Sequence, residues 1–239
     1  MSAGRDAIMG GLRRALKRGA EATDAAARQT VDRRLDAAAR GLVPARGQIP
    51  PAAQVDLFEA MAVEQAATVT RIASLEAVPA ALADYLKAAN LAPKLRLAPS
   101  PELQNLPWDS QPMIEIETGP AQGSDQVSLT GAVAGIAETG TLMLASGPEA
   151  PVTLNFLPDN HVVVLKASQV VGAYEDGWDR LREIYGRNAL PRAINFITGP
   201  SRTADIEQTI QLGAHGPRRL HVLLVEDTEP GPGDGGDGP

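Results

Sequence analysis

Residues 196–217 read FITGPSRTADIEQTIQLGAHGP, and the fold class turns on this stretch. The apolar run 194–197 has the make-up of a strand end, and Gly199-Pro200 breaks it, because neither residue suits a strand or helix interior. Ser201 and Thr203 carry hydroxyls suited to the first free N–H groups of a helix. Asp205 and Glu207 suit the positive end of that helix, and Ile206 and Ile210 give it one buried face. Gly213 stands where a C-cap is expected, and Gly-Ala-His-Gly-Pro leads into the next apolar run, 220–225. The pattern predicts a strand–turn–helix–turn unit, with its polar residues where open α/β sheets place ligands.

Outward from this unit, short apolar segments at 67–73, 95–97, 113–117, 142–145 and 161–166 read as further strands. Helical spacing recurs at Val55, Phe58 and Met61, again at Leu82 and Leu86, and most clearly at Val171, Tyr174, Trp178, Leu181 and Tyr185. Strands alternating with helices indicate an α/β fold, a mostly parallel sheet with helices on both faces. An N-terminal helical arm, 1–40, precedes it, with Ile8, Leu12 and Leu16 on one face and then an Ala- and Arg-rich segment. Residues 41–54, with Pro44, Gly47, Pro50 and Pro51, read as a linker, and 55–226 as the body. Residues 227–239 form an acidic Gly/Pro tail that can bury little and is expected to be disordered.

Hydrophobic residues make up 44% of the 239, enough for a real core, whereas aromatics at 3% argue against stacking platforms for single-stranded nucleic acid. The net charge of −7 points the same way, although residues 1–40 carry a balance of +4. That basic arm is either a partner contact, through Arg13, Arg14, Lys17 and Arg18, or a solvated helix face. There is no cysteine, which removes disulfides, thiol nucleophiles and thiolate-held iron–sulfur clusters from this chain. The first residues lack the apolar core of a secretory signal, and no apolar run is long enough to span a bilayer. The expectation is a cytoplasmic protein with no membrane span and no nucleic-acid partner.

Two loops concentrate the chemistry. Residues 135–141, GIAETGT, isolate Glu138 among small and apolar neighbours, with hydroxyls at Thr139 and Thr141. Desolvation there favours a carboxylate that serves as acid, base or nucleophile, unless backbone donors compensate and Glu138 is a turn residue. Residues 199–203, GPSRT, offer Gly199 for close approach, the hydroxyls of Ser201 and Thr203, and the Arg202 guanidinium: an anion cradle, or an ordinary capped helix start. Of the histidines, His221 reads as half-buried structure and His161 as exposed at a strand entrance, while His215 sits in a loop beside Gly216. A metal site from Glu138, His161 and His215 is conceivable, although no spacing requires it. Walker, dinucleotide and nucleophile-elbow motifs are absent.

Four blocks in order, IAETGTLML, the step from Leu157-Pro158 to His161, FITGPSRTADIE and GAHGP, resemble the LUD domain of the lactate-utilization protein C family over about residues 55–226. The resemblance implies a fold similar to the CoA-transferase, sugar-phosphate isomerase and formyltetrahydrofolate cyclo-ligase group. It also implies a role beside two iron–sulfur proteins in oxidising L-lactate to pyruvate, with the clusters held by the partners. Carried over by motif, the candidate catalytic residues are Glu138 and His215. The candidate ligand-binding residues are Thr139, Gly140, Thr141, Gly199, Ser201, Arg202, Thr203, Asp205 and Gly216, around a small anionic ligand. One departure stands out: relatives often carry a basic residue shortly before the Leu-Pro step, whereas residues 148–156 have none. The alternative to an accessory subunit is a free-standing enzyme acting on an anionic metabolite such as a CoA ester or sugar phosphate.

Overall fold

A computed structural model describes residues 2–16, 25–187, 189–204, 210–212 and 216–227. The chain divides into two units, 1–41 and 42–239. The first holds helices α1 (Ser2–Ala15) and α2 (Ala25–Ala37). Their apolar residues Ile8, Leu12, Val31 and Leu35 are all exposed.

The second unit is built on a six-stranded sheet, every neighbouring pair parallel, in the order β1-β12-β7-β4-β2-β3. Its strands are β1 (Thr68–Ile72), β2 (Lys94–Leu97), β3 (Glu115–Thr118), β4 (Val127–Gly131), β7 (Asn160–Lys166) and β12 (Arg219–Val225). The central strands β7 and β12 carry unbroken apolar runs, Val162–Leu165 and Val222–Val225, because both their faces are covered. Alternation divides them cleanly. Val162, Val164, Leu223 and Val225 face a core closed by helix α4 (Val78–Ala88), with Leu103 of α5 (Pro101–Gln104) and Leu154 of α6 (Thr153–Phe156). Val163, Leu165, Val222 and Leu224 face the other way, onto Phe58 and Ala62 of α3 (Pro51–Glu64).

That second face differs from expectation. Beside α3 it is covered by another sheet, of order β8-β5-β6-β9, made of β5 (Ala134–Ile136), β6 (Thr141–Ala145), β8 (Val170–Val171) and β9 (Ile194–Ile197). Its β5–β6 and β6–β9 pairs are antiparallel. Leu142 and Leu144 pack inward, while Ile136 and Met143 face outward onto Leu181 and Trp178 of α7 (Tyr174–Tyr185). The layers therefore run α4, parallel sheet, α3 with the small sheet, then α7. Gly135 permits this packing, because a Cβ there would lie 2.6 Å from Leu165 and 3.0 Å from the Phe58 ring.

Within segment 41–54, Gly47 is buried, its Cβ position lies 2.6 Å from the Gly172 carbonyl oxygen, and α3 begins at Pro51. One further expectation is corrected. The helix expected after Ser201 is replaced by β10 (Arg202–Ala204) and β11 (Ile210–Leu212), which pair antiparallel. A helix from 201 to 213 would carry its ends about 18 Å apart. Instead the Ser201 N–H donates to the Pro217 carbonyl at 2.8 Å, so the segment leaves and returns to one place. The β-branched residues Thr203 and Ile210, within β10 and β11, suit the extended form. Residues 205–209 and 213–215, and the tail from 228, lie outside the described residues. Among the described residues no helix is long and apolar enough to cross a membrane.

The C-terminal turn of α3 sits against two glycines. A Cβ on Gly140 (φ +64°) would lie 2.2 Å from the Ala62 nitrogen, and one on Gly199 (φ +73°) would lie 2.1 Å from the Gln65 carbonyl. Gly140→Ala and Gly199→Ala should each cost about 2–4 kcal/mol, combining left-handed strain with overpacking. Gly123→Ala, where a Cβ meets nothing within 4 Å, should be near neutral. Urea midpoints of the three variants check this.

Candidate functional site

Antiparallel pairing of β6 with β9 sets Leu142 opposite Ile197, which brings the GIAETGT and GPSRT loops together. Thr141 Oγ1 lies 2.7 Å from Thr198 Oγ1 and 2.7 Å from Thr139 Oγ1, and the Tyr174 hydroxyl lies 3.0 Å from Thr141 Oγ1. These four hydroxyls form one connected chain between the loops and the start of α7.

Glu138 stands at that same helix start. Ala173, the residue preceding α7, has no side-chain oxygen to cap it. Asp176 accepts the Ala173 N–H at 3.0 Å, and Glu138 Oε1 accepts the Tyr174 N–H at 3.1 Å. A carboxylate at a helix N-terminus is also favoured by the helix dipole. Glu138 is only 4% exposed, so its acceptor role answers the burial that made it conspicuous in the sequence.

Beyond the loops lies a cavity of about 230 Å³, lined by Asn155, Phe156, His161, Gly199, Ser201 and Gly216 among others. Its far wall is the return of the hairpin segment: a Cβ on Gly216 would sit 3.3 Å from Ser201 Cβ. His161, expected to be exposed, is fully buried. Its Nε2 lies 2.8 Å from Thr130 Oγ1, and its Nδ1 has no partner among the described residues. Burial holds the imidazole down to about 3, so it is neutral at ordinary pH. The ring thus borders the cavity without an exposed nitrogen, because Nε2 is engaged by Thr130 and Nδ1 is enclosed.

The candidates from sequence thus divide. Gly199, Ser201 and Gly216 line the cavity. Glu138, Thr139, Gly140 and Thr141 do not line it; they hold the β6 end, α3 and α7 together behind it. Arg202 and Thr203 open β10, directly after Ser201. Asp205 and His215 lie outside the described residues. Among the described residues no group of three or more His, Cys, Asp or Glu side chains could hold a metal ion. Asn155, and His161 other than as a conceivable metal ligand, were not singled out in the sequence, yet both line this cavity. The signal for His161 was present: it shares the alternation phase of the buried Val163 and Leu165.

Comparison with known proteins gives a consistent family. The family model described as the LUD domain matches residues 55–225. An uncharacterized protein of Neisseria meningitidis serogroup B is 39% identical over 105 residues, 44% of each chain. Lactate utilization protein C of Geobacillus thermodenitrificans is 38% identical over 93 residues, covering 38% of this chain and 39% of that one. The protein of the same name from Bacillus subtilis is 34% identical over a stretch of the same length. Each match spans less than half the length of the curated relative. A solved DUF162 family protein from Deinococcus radiodurans superposes with a TM-score of 0.55 at 23% identity, covering 74% of this chain and 99% of that one, a likeness of fold.

Burial also lowers His221, to about 4. In the unfolded chain both imidazoles titrate near 6.5, so below that pH the unfolded state binds more protons than the folded one. The stability of keeping both neutral is fully present above pH 6.5 and is lost progressively as pH falls toward the folded values. At pH 5 the loss should be about 2 kcal/mol per imidazole. Urea midpoints at pH 7 and pH 5 should show it, and His161→Gln should remove roughly half of the difference.

Proposed function

We propose, from the premise that the chain belongs to the LUD-domain family, that it is a lactate-utilization protein C-like component of a cytoplasmic system oxidising L-lactate to pyruvate. In this reading two iron–sulfur proteins carry the electrons, and this chain, which has no cysteine, contributes a small-ligand pocket. The names of the relatives support the system, and the architecture is compatible with kinship to the CoA-transferase and sugar-phosphate isomerase group. The observation that carries the ligand proposal is the cavity at His161. At about 230 Å³ it suits a compact hydroxy or oxo acid and lies below the range typical of sites for larger ligands. The Ser201 hydroxyl, on the cavity wall, would meet the hydroxyl or oxo oxygen of such an acid.

The alternative, a free-standing enzyme with Glu138 as acid, base or nucleophile, has less support, because Glu138 is occupied at the helix start and lies outside the cavity wall. His161 is a poor general base near neutrality for the same reason that it is neutral.

Thermal-shift titration of the full chain with L-lactate, pyruvate, CoA and acetyl-CoA separates the readings. A small acid at a hundred times its Kd should add about 2.7 kcal/mol of stability. Gly216→Val, which fills the cavity, should abolish the shift. A response to CoA or acetyl-CoA that survives Gly216→Val and disappears in Glu138→Gln would overturn the pocket assignment in favour of the enzyme. Co-purification with the iron–sulfur partners tests the system independently of any ligand.

A further inference from the structure

A second, larger cavity lies on the opposite face of the parallel sheet. Among the described residues β1 is an edge strand paired only with β12, and its face bearing Thr68, Thr70 and Ile72 is the floor of a groove of about 990 Å³. The wall is α4 with its two capping residues, which together present Ala77, Ala80, Ala81, Ala88 and Ala89. Because α4 links the parallel strands β1 and β2, it runs back along β1. Ala77 therefore stands by the end of β1 and Ala88 by its start. A five-residue strand makes this slot about 16 Å long.

The two ends differ. Ile72, Ala73 and Ala77 make one end apolar, whereas Arg218 and Arg219, at the start of β12, form the other. Neither guanidinium is tightly neutralised. Arg218 lies 3.6 Å from Asp159 with both side chains more than half exposed, a weak pair, and Arg219 donates to the Asn160 side-chain oxygen at 3.3 Å. Asp84, exposed on the α4 rim, discourages an anion from the middle of the slot and confines it to the arginine end. The wall at that end includes His221, 4% exposed, stacked on Tyr85 at 4.3 Å. Its Nδ1 lies 2.7 Å from Thr68 Oγ1, and its Nε2 has no partner among the described residues.

We propose that this groove binds an elongated amphipathic anion, an acyl-chain carboxylate, with its hydrocarbon along the alanine face of α4 and its head at Arg218 and Arg219. The volume suits such a ligand. Charge complementarity at one end only gives the ligand a direction: the apolar tail removes the alanine face and the open β1 face from water, and the head replaces solvent on two exposed guanidiniums that are only weakly engaged.

The site is separate from the small cavity. Pro200 and Leu220 border both, but His161 and His221 lie on opposite faces of the sheet. The inference does not rest on the proposed role in lactate oxidation, and its test does not either.

The experiment is isothermal titration of the full chain with decanoate below its micelle concentration, with acetate and decylammonium as controls for head alone and reversed charge. Decanoate should bind saturably, and neither control should. Arg218→Glu/Arg219→Glu should weaken it at least ten-fold. Ala80→Trp/Ala88→Trp, at exposed positions that should not disturb folding, should block it, and an unchanged melting midpoint without ligand verifies the fold. Gly216→Val should leave decanoate binding intact, which distinguishes this site from the small cavity. No saturable binding, equal binding of decylammonium, or affinity unchanged in both double variants would overturn the proposal, including in favour of strand addition by a peptide at the open β1 edge.

Discussion

The backbone of the last turn of α3 lies against Gly140 from one loop and Gly199 from another, too close at both places for any side chain. The two glycines lie in loops that flank the β6–β9 pair, so this single contact sets the height of the small sheet over the parallel one. It also requires left-handed backbone at both positions, which glycine adopts at no steric cost. Once α3 is seated, Phe58 and Ala62 fill the space between the sheets, and the strands cannot slide without losing the packing of Leu142, Val163 and Leu165 around them. The cavity at His161 depends on the same contact, because Gly199 is part of its wall.

Glu138 shows how a sequence feature that attracts a chemical reading can have a structural cause. An acid isolated among small apolar residues is costly to bury, and the cost is met here by the backbone donor of a helix that lacks its own cap. The threonines beside it are likewise engaged with Thr198 and Tyr174. The glycine-rich loop is therefore a joint among β6, α3 and α7. The neighbouring GPS segment, which is less charged, is the part that reaches the cavity.

Most of the frame was legible because its signals are local. The apolar runs of β7 and β12, the stop at Asn90 with φ +52°, and the aromatic stripe of α7 each follow from composition and period. Two things were not legible, for different reasons. The segment after Ser201 carries capping residues and helical spacing, and its hairpin is decided by a long-range bond, Ser201 to Pro217, that no local window contains. The small sheet was hidden because the glycines at 131, 135 and 140 look like interruptions of one apolar stretch, whereas Gly131 ends β4, Gly135 lies inside β5 and Gly140 precedes β6. His161 was misplaced because it was read from the polar step before it, and not from the alternation of the strand that it belongs to.

That alternation also explains how one strand serves two cavities. β12 begins Arg219, Leu220, His221, and a period of two sends Leu220 toward α3 and the small sheet and His221 toward α4. β7 repeats the arrangement one strand over, with His161 on the face opposite to Val162. Each imidazole is buried, neutral, and held at one nitrogen by a threonine of an adjacent strand, Thr130 for His161 and Thr68 for His221. Each keeps its other nitrogen unpartnered among the described residues. A sheet of parallel strands places such residues at matching height, since Leu220 is the register partner of His161. The two cavities are thus related by the pleat of the sheet, with Pro200 and Leu220 as their common border. A change at that border is the one most able to alter both, while changes elsewhere in either wall stay on their own side.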